Sequence, residues 1–171
     1  MLGAGTIGLM AGLLARDQVT EVAVTARHPH QRAAALSLGL QPLDESEAVA
    51  WAQEQGPDVI LETVGGRSDT LQQALGYCRA GGRIVVIGVF SQNPEISALA
   101  LMMKEISLVG SNMYAAGEQG SDFASAVSLL PRFREELNAL QTHQFPLAEI
   151  DRAFATADDK QSGSIKVTLI P

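Results

Sequence analysis

Gly3-Ala4-Gly5-Thr6-Ile7-Gly8 stands almost at the head of this chain, with only Met1 and Leu2 before it. The spacing is G-x-G-x-x-G, and an Ala/Leu-rich stretch from Thr6 to Ala15 follows directly. Together they read as a tight turn that opens a helix. In such a turn Gly3 permits the chain reversal, Gly5 leaves room for a diphosphate beside the backbone, and Gly8 lets the helix lie close to a sheet. The first helical turn, with Thr6 and Ile7, then offers unpaired N–H groups to an anion.

The pattern alone is weak evidence, and its surroundings give it weight. Val19 to Thr25 is β-rich and predicts a strand. Pro29 suits the first turn of a helix running to about Leu38, with Gly39 as its stop. Ser46 to Gln55 predicts another helix, closed by Gly56-Pro57, and Val59-Ile60-Leu61 a buried strand. Ser68 is placed to cap a helix from Asp69 to about Arg79. Arg83 to Gly88 predicts a strand, Ala98 to Lys104 a helix, and Ser107 to Gly110 a further strand. Alternation of this kind gives a parallel sheet with helices on both faces. After Asn112 the pattern changes. A Ser121-capped helix, a break at Pro131, a helical stretch to Leu140, a helix from Leu147 to about Ala157 and a last strand from Ile165 to Ile170 are expected.

With 171 residues, 46% of them hydrophobic and 18% charged, the chain is long enough for one domain with a real core. A net charge of −7 argues against a nucleic-acid partner. Cys78 is the single cysteine, so a disulfide within the chain and a multi-cysteine zinc site are excluded. Buried, inert cysteine is the expected reading of it. His143 is expected to hydrogen-bond structurally and Trp51 to pack. Glu62, at a strand end, is expected to hydrogen-bond locally. Leu99 to Met103 is too short to span a membrane, and no leader pattern is evident; a cytoplasmic location is the default expectation.

The end of the second strand chooses between coenzymes. A site for NAD has Asp or Glu there to accept from the ribose hydroxyl. This chain has Thr25-Ala26-Arg27-His28 instead. Arg27 either pairs with a 2′-phosphate, which its fork suits, or stands as a solvated charge at a helix entrance. The missing carboxylate favours NADP over NAD, with His28 and His30 as further donors.

Several blocks taken together resemble the medium-chain dehydrogenase/reductase superfamily, the zinc-type alcohol and polyol dehydrogenases in particular. They are the opening turn through Leu9, D-V-I-L-E-T-V-G-G at Asp58–Gly66, G-G-R-I-V-V-I-G-V-F at Gly81–Phe90, K-E-I-S-L-V-G-S at Lys104–Ser111, T-H-Q-F-P-L at Thr142–Leu147 and S-I-K-V at Ser164–Val167. The resemblance runs in family order over nearly the whole chain. It implies a Rossmann-type doubly wound α/β sheet over residues 1–112, with its first strand truncated. Residues 113–171 become an α+β segment that returns to a catalytic domain. The family's zinc ligands, proton relay and most of its substrate pocket lie in an N-terminal half, so the chain is expected to be the back part of a larger enzyme and inactive alone.

The resemblance also places Thr63 and Val64 near the adenosine and nicotinamide ribose. Ile87, Gly88 and Val89 run beside the nicotinamide, and Ser111 and Met113 bracket the ring. Lys166 reaches the diphosphate. Strand core remains the alternative for Ile87 and Val89, and an exposed edge lysine the alternative for Lys166. The implied whole is an NADP(H)-dependent oxidoreductase acting on a small alcohol or carbonyl, with a homodimer through the strand near Ser107–Gly110. A stand-alone nucleotide-binding module is the second reading. A methyltransferase-type fold is the third, disfavoured by the Lys104 and Thr142 blocks.

Overall fold

The computed structural model describes residues 1–114, 116, 117 and 120–171. Its first half alternates helix and strand: α1 Thr6–Ala15, β1 Ala23–Thr25, α2 Pro29–Ser37, β2 Gln41–Leu43, α3 Glu45–Gln55, β3 Val59–Glu62, α4 Thr70–Tyr77, β4 Arg83–Val86, α5 Ala98–Met103 and β5 Ser107–Gly110. The second half carries the short hairpin β6 Ala116–Gly117 with β7 Gly120–Ser121, then α6 Asp122–Leu129, α7 Arg134–Leu140 and β8 His143–Pro146. A 3₁₀ turn at Leu147–Glu149, α8 Ile150–Asp158 and β9 Val167–Ile170 complete it.

β1 pairs with β2, and β3, β4 and β5 pair in that order, all parallel. Met1 and Leu2 join the two groups. The Met1 nitrogen donates to the Ala23 carbonyl at 2.6 Å, and the Met1 carbonyl accepts from Thr25 N–H at 3.0 Å. On the other side Leu2 N–H donates to Leu61 at 2.9 Å, and Thr63 N–H donates to Leu2 at 3.0 Å. Two residues thus occupy the width of one strand between β1 and β3, and the order across the sheet is β2, β1, Met1–Leu2, β3, β4, β5. This is the α/β, Rossmann-type parallel arrangement that the alternation predicts. Neighbouring residues of β1 point to opposite faces. Val24 packs with Leu9 and Leu13 of α1, and Ala23 with Ala48 of α3, so helices cover both faces.

A space lies between β1 and β3. It forms a cavity of about 820 Å³ walled by Val19–Ala23 and Pro57–Leu61, with Leu14, Trp51 and Ala52 around it. The strand expected from Val19 begins at Ala23, the first residue in register with β2. Trp51 packs against the Ala23–Leu43–Ala48 cluster, as expected of it.

Other boundaries differ for local reasons. The strand expected to reach Gly88 stops at Val86, because Ile87 and Gly88 both turn their N–H groups to the Glu62 carbonyl. Ser68 does not cap α4; its hydroxyl donates to the Gly65 carbonyl at 2.7 Å, and Asp69 holds the cap position. α4 ends at Tyr77 rather than Arg79, and the Lys104 ammonium closes it by donating to the carbonyls of Leu75, Gly76 and Cys78 at 2.7–2.9 Å. β2 and β8 have no counterpart in the sequence reading. Pro42 hides β2, which lies at the sheet margin, where proline is tolerated. α3 starts on a capping box in which Asp44 accepts from Glu47 N–H at 2.9 Å and Glu47 accepts from Asp44 N–H at 2.6 Å.

The C-terminal half is tied to the sheet domain. Phe133 and Leu140 are buried in one cluster with Leu9, Leu13 and Val24. Arg16 on the far end of α1 donates to the Leu38 carbonyl and pairs with Glu136 at 2.8 Å. β8 and β9 pair in parallel, and α8 packs on both.

Burial pushes the Met1 ammonium from 8.0 down to about 6. Between those values the unfolded chain binds one more proton than the folded chain, so stability rises with pH. For a chain that begins at Met1, this group is expected to add roughly 2–3 kcal/mol to the unfolding free energy between about pH 5.5 and 8.5. Urea denaturation at both ends of the window reads it, and acetylating the nitrogen should flatten the rise.

Candidate functional site

The carboxyl ends of the parallel strands share one margin of the sheet, the margin where open α/β sheets place ligands. Gly3 stands there, after the Met1–Leu2 link. Its φ of 100° is left-handed, and a Cβ on it would meet Val64 Cγ2 at 2.8 Å. Two threonines hold it. Gly3 N–H donates to the Thr25 hydroxyl at 2.9 Å, and the Thr63 hydroxyl donates to Leu2 and Gly3 carbonyls at 2.8 and 3.3 Å. Thr25 and Thr63 therefore serve the turn with their side chains. Ala26 is buried, so it offers backbone alone.

Gly5 and Gly8 have different causes. A Cβ at Gly8 would lie 1.9 Å from the Gly3 carbonyl oxygen, so the close approach of α1 to the turn requires glycine. A Cβ at Gly5 would meet nothing within 4 Å, and its φ of −80° suits any residue. The protein's own packing makes no demand for glycine there. The empty space lies at the cap of α1, whose cap position supplies no side-chain hydrogen bond. Thr6 and Ile7 open that helix, and the Thr6 hydroxyl donates to the Ile165 carbonyl. The same bond holds the segment that carries the exposed Lys166, next in chain after Ile165, at the helix start.

Arg27 follows β1 and is exposed. Its N–H donates to the Gln31 side chain at 3.1 Å, while its guanidinium has no carboxylate partner among the described residues. His28 and His30 stack with centroids 5.4 Å apart. Burial, and then the neighbouring His28, hold the His30 imidazole below its ordinary range. Beyond β3 and β4, Val64 and Val89 are 42% and 85% exposed. Ile87 is half-buried beside Gly88, and Ser111 N–H donates to the Val86 carbonyl at 2.9 Å. Met113 is 71% exposed on the same side of β5. Val64, Val89 and Met113 give this margin an apolar rim.

Glu62 carries more of the site than sequence reading assigns to it. It is fully buried and accepts hydrogen bonds from Val64 N–H, Gly65 N–H and the Thr70 hydroxyl. The only sequence signal was a carboxylate closing an apolar strand. Elsewhere the readings are quieter. Burial pushes the Cys78 thiol up, and it packs where a Cβ on Gly82 would strike it. His143 lies 3.1 Å from the Thr142 hydroxyl and stacks on Phe145. Among the described residues no group of three or more His, Cys, Asp or Glu is placed to hold a metal ion, so no step through zinc is derived from this chain. No helix among them is long and apolar enough to cross a membrane.

The two glycines make a contrast that denaturation can read. Gly8→Ala is expected to cost about 3 kcal/mol or more, since neither the turn nor the helix can give way by the overlap. Gly5→Ser, a better helix cap than glycine, is expected to leave stability within about 0.5 kcal/mol of the parent.

Residues 6–132 match the family model described as zinc-binding dehydrogenase. The chain is 30% identical over 169 residues to a 2-dehydro-3-deoxy-L-galactonate 5-dehydrogenase of Pseudoalteromonas atlantica, covering 95% of this chain and 48% of that protein. It is 31% identical over 180 residues to a sorbitol dehydrogenase of Halalkalibacterium halodurans, covering 99% and 50%. Among solved structures, a protein of Sinorhizobium meliloti 1021 described as a zinc-binding dehydrogenase bound to NADP superposes with a TM-score of 0.82. Its identity is 25%, over 99% of this chain and 51% of that one. The chain spans about half the length of the curated relatives it matches. Turn, sheet order and sequence agree, and this chain belongs to the zinc-binding dehydrogenase family.

Proposed function

We propose that this chain is the coenzyme-binding part of an NADP(H)-dependent alcohol or polyol dehydrogenase. The observation that carries the reading is the unfilled space at Gly5, at the open start of α1. It fits a diphosphate approached by the N–H groups of Thr6 and Ile7, with Lys166 contributing charge from the closing segment. Arg27, without a carboxylate partner among the described residues, is the group for a 2′-phosphate. The apolar rim of Val64, Ile87, Val89 and Met113 suits the nicotinamide ring, with Gly88 and Ser111 beside it. When bound, the coenzyme supplies the hydride-transfer chemistry, and the chain's share is to hold and orient it. The dehydrogenases among the relatives support an alcohol or polyol substrate over a stand-alone binding module, the NADP carried by the Sinorhizobium protein supports a nicotinamide coenzyme, and the choice of NADP rests on Arg27.

By the same reading the 171 residues alone turn over no alcohol, and two copies pair through the β5 edge in a cytoplasmic enzyme. Light scattering that finds one copy at all concentrations removes the pairing.

Fluorescence titration with NADPH and NADH tests the coenzyme reading. NADPH is expected to bind more tightly. Arg27→Ala should weaken NADPH roughly tenfold or more, the loss of a charged hydrogen bond, and leave NADH nearly unchanged. Gly5→Ser should weaken both. Tighter binding of NADH by the parent chain would refute the role given to Arg27, and absence of binding to either would end the coenzyme reading.

A further inference from the structure

Glu62 ends β3 with 0% of its surface exposed. A carboxylate in that position is costly unless donors surround it. Oε1 has three: Val64 N–H at 2.8 Å, Gly65 N–H at 2.9 Å and the Thr70 hydroxyl at 2.7 Å. The Glu62 carbonyl accepts from Ile87 and Gly88 N–H at 2.9 and 3.0 Å. Oε2 has no partner among the described residues. It faces Gly88, where a Cβ would stand 2.4 Å away. The carboxylate therefore ties the turn after β3 to the start of α4 and packs against Gly88, while the backbone carbonyl, which any residue would supply, receives the bend after β4. A leucine of similar bulk would fill the space and leave two backbone N–H groups without an acceptor.

We infer that Glu62 is a positioning residue for the nicotinamide end of the coenzyme site, setting the Val64–Gly65 turn against the Ile87–Val89 segment. The inference rests on the coenzyme reading above. It also makes a distinction within that reading. The diphosphate end is built by other bonds, those of Thr25 and Thr63 to the Met1–Gly3 turn. Loss of Glu62 therefore damages one end of the site and spares the other. Buried polar networks of this kind fix geometry when their donors are paired, and they loosen when one acceptor is withdrawn.

Two ligands separate the ends: NADPH, and 2′-phospho-ADP-ribose, which lacks the nicotinamide. On the 171-residue chain, Glu62→Ala should weaken NADPH about tenfold and leave 2′-phospho-ADP-ribose within about twofold. Glu62→Gln, whose amide oxygen can replace Oε1, should recover most of the loss. Thr70→Val removes one donor and keeps the side-chain shape, so it serves if Glu62→Ala does not fold. It should shift NADPH in the same direction by roughly two- to threefold. Equal losses for both ligands, or no loss for NADPH, overturn the inference. Amide exchange in the ligand-free protein is the second readout. Val64 and Gly65 should exchange faster in the variants while Gly3 does not, and unchanged rates overturn the clamp. Should the parent chain bind neither ligand, the coenzyme reading fails, and exchange at Val64 and Gly65 still decides for or against Glu62.

Discussion

The hold of two threonine hydroxyls on one glycine underlies the rest of the structure. Thr25 accepts from Gly3 N–H and Thr63 donates to the Leu2 and Gly3 carbonyls, one hydroxyl from each flanking strand. They keep the backbone in a left-handed conformation that only glycine adopts freely. Gly8 then packs on the Gly3 carbonyl, and the start of α1 is aimed along the sheet margin. The same short segment is also the only covalent chain lying between β1 and β3 among the described residues, so local turn chemistry and the continuity of the sheet depend on the same few hydrogen bonds.

Much of this was legible in the sequence because it rests on short-range rules. Gly-x-Gly-x-x-Gly followed by Ala and Leu gives turn and helix, and the bounds of α1 agree with the reading to the residue. Pro29 and Gly39 mark α2, with Gly39 left-handed at 72°. The Ser107–Gly110 strand likewise follows from its own residues. What escaped depends on partners distant in sequence. Whether Val19 to Glu21 form a strand depends on a neighbour across the sheet. The end of α4 is decided by Lys104 from another helix. The Glu62 carboxylate makes sense only once Thr70 and the β4 bend are seen beside it. In the candidate site, the bonds each side chain makes were not readable from its type and place in the sequence. Thr25 and Thr63 were assigned by nearness to a ligand, and their hydroxyls turn out to serve the protein's own backbone.

The C-terminal residues enter the site through one bond as well as through burial. Phe133 and Leu140 complete the packing over α1, and Arg16 with Glu136 pins the far end of that helix. At the near end the Thr6 hydroxyl holds Ile165. α1 is thus restrained at both ends by segments more than a hundred residues away in sequence. Motion of the closing segment would be felt at the start of α1 without any change in the turn itself.

The two outer margins of the parallel sheet are not alike. On one, Pro42 interrupts β2 with a residue that has no N–H to offer. On the other, β5 from Ser107 to Gly110 carries no proline and, among the described residues, pairs with β4 alone. Addition of a further strand by backbone hydrogen bonds is therefore easier at the β5 margin than at the β2 margin, where a proline withholds one donor.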